Sequence, residues 1–113
     1  MGGSTAPVMI AQMRVYTINL GQVDAWLKIF HDEAMPLIRK HGMGVDGMWT
    51  DLPQERFIWF RTYEDESDME LKDAAFYGNP EWLNLIDRIR AHEAYREITI
   101  VKPVTPSLWL LAL

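Results

Sequence analysis

The chain has 113 residues, 49% of them apolar and 24% charged, with a net charge of −5, which fits one domain around one modest core. Its 11 basic residues are scattered within that acidic balance, so neither nucleic acid nor an anionic membrane is expected as a partner. There is no cysteine, hence no disulfide framework, thiolate metal site or cysteine nucleophile, and a reducing, cytoplasmic setting is the expectation.

Residues 1–7, Met-Gly-Gly-Ser-Thr-Ala-Pro, lack an apolar core segment and read as a flexible leader rather than a signal peptide. No apolar run approaches the roughly 20 residues that span a bilayer. From Val8 to Ile18 β-branched and aromatic residues predict a first strand. Asn19-Leu-Gly21 turns the chain, and Val23, Trp26, Leu27, Phe30, Ala34, Leu37 and Ile38 then recur at helical spacing to about Lys40. Pro36 lies inside that pattern; lacking an N–H, it should bend or break the helix.

Met43 to Asp51 and Arg56 to Tyr63 predict an antiparallel strand pair. Ser67-Asp-Met-Glu70 has capping-box spacing and predicts a short helix through Phe76 to Gly78. Asn79-Pro80-Glu81 combines a cap residue, a proline at the first helical position and an early acid. That start leads into a helix ending near Tyr95, with Trp82, Leu85, Ile86 and Ile89 as its buried stripe. Glu97 to Lys102 is the expected last strand. Residues 8–104 thus form one domain, followed by an apolar tail, 105–113, containing Leu108, Trp109, Leu110 and Leu111.

Strand, helix, two strands, helices and a strand define an α+β class. It is the ferredoxin-like βαββαβ (split βαβ) plan, a four-stranded antiparallel sheet with the first and third strands central and the helices on one face. The uncharged strand set (Met13, Val15, Val45, Gly47, Trp49, Ile58, Phe60, Ile98 and Ile100) is expected beneath the helices. The opposite set (Gln12, Arg14, Tyr16, Asp46, Met48, Phe57, Trp59, Arg61, Thr99 and Val101) is expected on the bare face. So many aromatics on an uncovered face are a liability for a monomer, and a face-to-face homodimer follows, with Trp109 and its tail packed on the partner or on their own domain. Arg14, Asp46, Trp59 and Arg61 would then be interface residues, with Asp46 and Glu97 as carboxylate partners for the arginines; otherwise Arg14, Tyr16, Asp46 and Arg61 form an anion or substrate site.

These residues carry a resemblance. Arg14-Val-Tyr-Thr-Ile-Asn-Leu-Gly-Gln-Val-Asp-Ala-Trp26, His41-Gly with Gly47-Met-Trp-Thr50, Trp59-Phe-Arg-Thr-Tyr63 and Asn79-Pro-Glu-Trp82 are similar, in that order, to the blocks of NIPSNAP-type domains. The resemblance covers about Ile10 to Val104 and implies the dimeric α+β barrel fold, in which two such sheets close face to face. Relatives of that broader fold include cofactor-free monooxygenases, polyketide cyclases, aldoxime dehydratases and haem-using chlorite dismutases. The NIPSNAP type itself implies no single reaction.

His31, His41 and His92 have no metal-ligand spacing, and neither a metal nor another cofactor is expected. His31, on the first helix, is the candidate general acid or base if it faces the cleft, with Tyr16 as a second proton carrier; otherwise it is a half-buried residue at the helix edge. Met13, Trp26, Phe30, Trp49 and Phe60 are candidates to line a pocket for an apolar, aromatic or polyketide-like metabolite, or else they fill the core. Gly47, by omitting a side chain, favours the pocket. Three functions follow. The first is a cofactor-independent cyclase, isomerase or monooxygenase, and the second a non-catalytic dimer that binds a small molecule or a protein. The third, a haem user, requires an axial ligand aimed into the cleft.

Overall fold

The computed structural model describes residues 9–104; the leader and the tail with Trp109 lie outside the described residues. The elements in chain order are β1 (Ile10–Ile18), α1 (Val23–Ile29), a π-helical turn (Phe30–Ala34), α2 (Met35–Lys40), β2 (Gly44–Thr50), β3 (Arg56–Tyr63), α3 (Glu66–Tyr77), α4 (Pro80–Arg90) and β4 (Glu93–Val101). The strands form one antiparallel sheet in the order β2-β3-β1-β4, so the first and third are central as expected. The plan is ferredoxin-like, with all helices over one face.

Local chemistry explains the boundaries. Pro36 sits at the start of α2, and the wider π turn before it absorbs the missing N–H, so the long apolar stripe is carried by two helices in tandem. Asp65 rather than Ser67 caps α3, its carboxylate accepting the Asp68 N–H at 2.8 Å while Asp68 accepts the Glu64 N–H at 2.9 Å. Asn79 caps α4 by accepting the Glu81 N–H at 2.7 Å, with Pro80 as the first helical residue. That helix stops at Arg90, earlier than the sequence suggests. Residues 93–96 pair with β1 instead, across an irregularity at Thr17 and Ile18. Tertiary pairing overrides the helical pattern there.

On the two central strands the faces are the reverse of the expectation, whereas Val45, Ile98 and Ile100 lie beneath the helices and Asp46, Thr99 and Val101 on the bare face, as expected. Tyr16 packs edge-on against Trp26 at 5.4 Å between ring centres, and Phe30 packs on Phe57 at 4.9 Å and on Trp59 at 5.1 Å. Thus Tyr16, Phe57, Trp59, Arg61 and Tyr63 lie beneath the helices, all buried. Met13, Val15, Ile58 and Phe60 point the other way and are half-buried, joined there by Trp49, which is 62% exposed. Strand side chains alternate, so one step of parity inverts every residue of β1 and β3, and past the register shift at Gly47 it inverts Met48 and Trp49 with them. The bare face is the more aliphatic of the two, and the core face holds the arginines.

Candidate functional site

Two guanidiniums sit inside because their surroundings answer them. On β1 and β3 the same pattern, Arg-x-Tyr, puts each arginine and its tyrosine on one face two residues apart. Arg14 Nε donates to the Tyr16 hydroxyl oxygen at 2.7 Å, and Arg61 Nε to that of Tyr63 at 2.7 Å. Gln12 stands opposite Arg61 in the β1–β3 register and accepts from both, from Arg14 Nη1 and from Arg61 Nη2 at 2.9 Å.

α3 closes one end of this seam. Asp73 accepts from Gln12 Nε2 at 2.8 Å, from Arg61 Nη2 at 3.2 Å and from the Tyr63 hydroxyl, while the Tyr77 oxygen accepts from Arg61 Nη2 at 2.6 Å. Burial pushes the Tyr63 phenol above its ordinary value, opposed by Arg61 and reinforced by the bond to Asp73. The Arg14 guanidinium also lies 5.7 Å from the ring centres of Tyr16 and Trp59, within cation–π range.

The charges in the seam do not balance. Arg61 is paired with Asp73. Arg14, 4% exposed, makes no ion pair among the described residues and retains donor capacity beyond its bonds to Tyr16 and Gln12. Arg14 pairs in register with Ile98, and Gln12 with Ile100. These two isoleucines lie on the helix-facing side of the outer strand, yet they are 46% and 55% exposed. A buried cation therefore borders an open apolar shoulder.

Glu93, at the start of β4, stands at the other end. Its side chain is 4% exposed, and its Oε1 has no hydrogen bond among the described residues. The nearest cation, Arg96 Nε, is 3.5 Å away, an ion-pair distance longer than a normal hydrogen bond. Burial pushes the carboxyl up to about 7, against the pull of Arg96, Arg14, Arg90 and His92. A hollow of about 380 Å³ is lined by Glu93, Ala94, Tyr95, Arg96, Ile98 and Arg90.

The candidate residues named from sequence are thus dispersed. Tyr16 joins the seam. His31 is exposed on the outside of the helical layer, 3.0 Å from the Asp32 carboxylate, and does not reach the cleft. Trp26 and Phe30 are core residues packed with Phe57. Met13, Trp49 and Phe60 belong to the bare face, so Trp49 does not meet Trp26 across a cleft. Arg14, Trp59 and Arg61 are beneath the helices rather than on the bare face, whereas Asp46 pairs with Phe60 in register and stays on the exposed side. Glu97 pairs with Val15 on that same side, so Asp73, not Asp46 or Glu97, answers Arg61. Gly47 lines none of the hollows described among residues 9–104. It is the extra residue at a register shift, with φ +57, and a Cβ there would lie 2.9 Å from Trp49 Nε1.

Gln12, Tyr63, Asp73, Tyr77 and Glu93 are the site residues missing from that reading. The repeated Arg-x-Tyr was the signal for Tyr63. A phenol two residues from an arginine on a strand offers the guanidinium an acceptor on its own face.

The fold defines a class, the ferredoxin-like α+β proteins with a four-stranded antiparallel sheet. The model of the NIPSNAP family matches residues 11–107, and the chain belongs to that family. It is similar to the crystal structure of an uncharacterized NIPSNAP domain protein from Burkholderia xenovorans, at 25% identity and TM-score 0.78 over 86% of this chain and 96% of that one. A NIPSNAP family protein from Agrobacterium tumefaciens matches at 20% identity and TM-score 0.79, covering 87% and 95%. A candidate antibiotic biosynthesis monooxygenase from Nitrosomonas europaea matches at 15% identity and TM-score 0.68, covering 91% and 97%. No curated protein matches the chain. Among the described residues, no helix is long and apolar enough to cross a membrane.

Proposed function

We propose that this NIPSNAP protein is a cytoplasmic homodimer that binds a small aromatic, polyketide-like metabolite on the helix-facing side of β1 and β4 and acts on it without a cofactor. The observation that carries the binding reading is Arg14, a buried cation with no ion pair among the described residues, beside the exposed Ile98 and Ile100. A ring with a phenolic or enolic oxygen suits that combination. Its apolar body covers the isoleucines, and its oxygen accepts from the guanidinium. The fold shared with a candidate antibiotic biosynthesis monooxygenase agrees with metabolite chemistry by analogy alone.

The dimer rests on the other face. Met13, Val15, Ile58, Phe60 and Trp49 form a largely aliphatic surface, and a second copy presenting the same surface is the occupant that the barrel class offers. Binding without turnover is the second reading. It is favoured by the position of His31 outside the cleft and by the filled aromatic core around Trp26 and Phe30.

Calorimetric titration with 2-naphthol, a bicyclic phenol, tests the site. Wild type should bind it, and Arg14→Met should bind about tenfold or more weakly, the value of one hydrogen bond to a charged group. Equal binding by both proteins would remove Arg14 and this site from the account.

A further inference from the structure

The seam has a cation to hold an oxygen, but His31 is not available to move a proton. Glu93 is a buried carboxyl on the same side of the sheet as Arg14, whose charge acts on it. It lines the hollow with Arg96 and Ile98, its side chain is nearly all buried, and its Oε1 is left without a hydrogen bond among the described residues. A buried carboxyl oxygen without a donor is costly in a purely structural role. It is useful where a substrate supplies the proton.

We propose that Glu93 is the catalytic acid–base residue of this protein, serving an isomerisation of ketone-bearing aromatic ligands through their enolates. This rests on the binding reading above. The carboxylate removes a proton from the carbon next to the ketone. The C–H electron pair becomes the C=C bond of the enolate, and the carbonyl π pair moves onto oxygen, which the Arg14 guanidinium stabilises. The carboxylic acid then returns the proton to the same or a conjugated carbon. No oxidant or reductant is consumed, and Glu93 ends as it began.

The charged groups that act on Glu93 are Arg96 on its own strand, Arg14 on β1, Arg90 at the end of α4 and His92 in the turn between. They favour the carboxylate, while burial favours the acid. The balance sets its titration near neutrality, where it can both take and give a proton.

The probe is 2-tetralone, the ketone counterpart of 2-naphthol, incubated with the protein in D2O while NMR follows exchange at its C1 position. Wild type should accelerate exchange over buffer, with a rate that rises through neutral pH. Glu93→Gln should lose roughly 10²–10⁴-fold while still binding 2-naphthol, and His31→Ala should exchange at the wild-type rate. A carboxyl-carbon NMR titration of Glu93 in the unliganded protein should place its midpoint well above the ordinary carboxylate range.

Binding retained with no accelerated exchange in wild type, or exchange undiminished in Glu93→Gln, overturns the inference while leaving the binding reading in place. An ordinary carboxylate midpoint for Glu93 also overturns it. Failure of 2-naphthol and 2-tetralone to bind wild type overturns both.

Discussion

Replacing Arg61 with methionine tests the inverted faces where they matter most. Arg61 is 2% exposed and donates to Tyr63, Gln12, Asp73 and Tyr77. Methionine fills most of the volume and removes all four bonds. Hydrogen bonds to a charged group contribute roughly 1.5–3 kcal/mol each when taken singly, but they do not add here. Gln12 keeps its bond from Arg14, Tyr63 keeps its donation to Asp73, and Asp73 is 23% exposed and can turn to water. What remains is a partly buried carboxylate that has lost its cation, which costs about 2–4 kcal/mol. Urea unfolding followed by far-UV circular dichroism, at one fixed protein concentration because a dimer makes stability depend on it, reads that difference. If Arg61 instead faced outward, the change would stay within about 0.5 kcal/mol, and that result would refute the placement of the seam.

Two further outcomes follow from single residues. Gly47→Ala should destabilise by roughly 1–2 kcal/mol, because φ +57 is left-handed and the new Cβ meets Trp49 Nε1; a thermal melt matching wild type would mean that the bulge does not hold that conformation. Asp51 accepts the Glu55 and Arg56 N–H groups and the Arg56 side chain, and the Arg56 amide above all, then its side chain and the Glu55 amide, hold its carboxyl down at about 2. Its contribution to stability is therefore present above the ordinary value of 3.8 and lost as pH falls from there through 2. Asp51→Asn should flatten the acid limb of stability in that window, and an unchanged limb would contradict it.

The fold was legible because its signals were local. Asn79-Pro80-Glu81, the Pro36 interruption and the short strands each report on their own few residues, and the structure agrees at each. The choice of inner face was not local. A sequence rule that sends charge outward puts Arg14 and Arg61 on the bare face. It fails because Tyr16, Tyr63 and Gln12 satisfy them from their own strands, and Asp73 arrives from a helix 12 residues beyond Arg61. Glu93 was hidden for a related reason, since its stretch continues a helical pattern and only pairing with β1 makes it a strand.

Which face meets a second molecule is decided most directly by sedimentation equilibrium of wild type beside Phe60→Glu. Wild type should sediment at twice the 13.2 kDa chain mass, and Phe60→Glu at the single-chain mass with its circular dichroism intact. A wild-type protein at the single-chain mass, or a Phe60→Glu variant that unfolds as a core replacement would, contradicts the account.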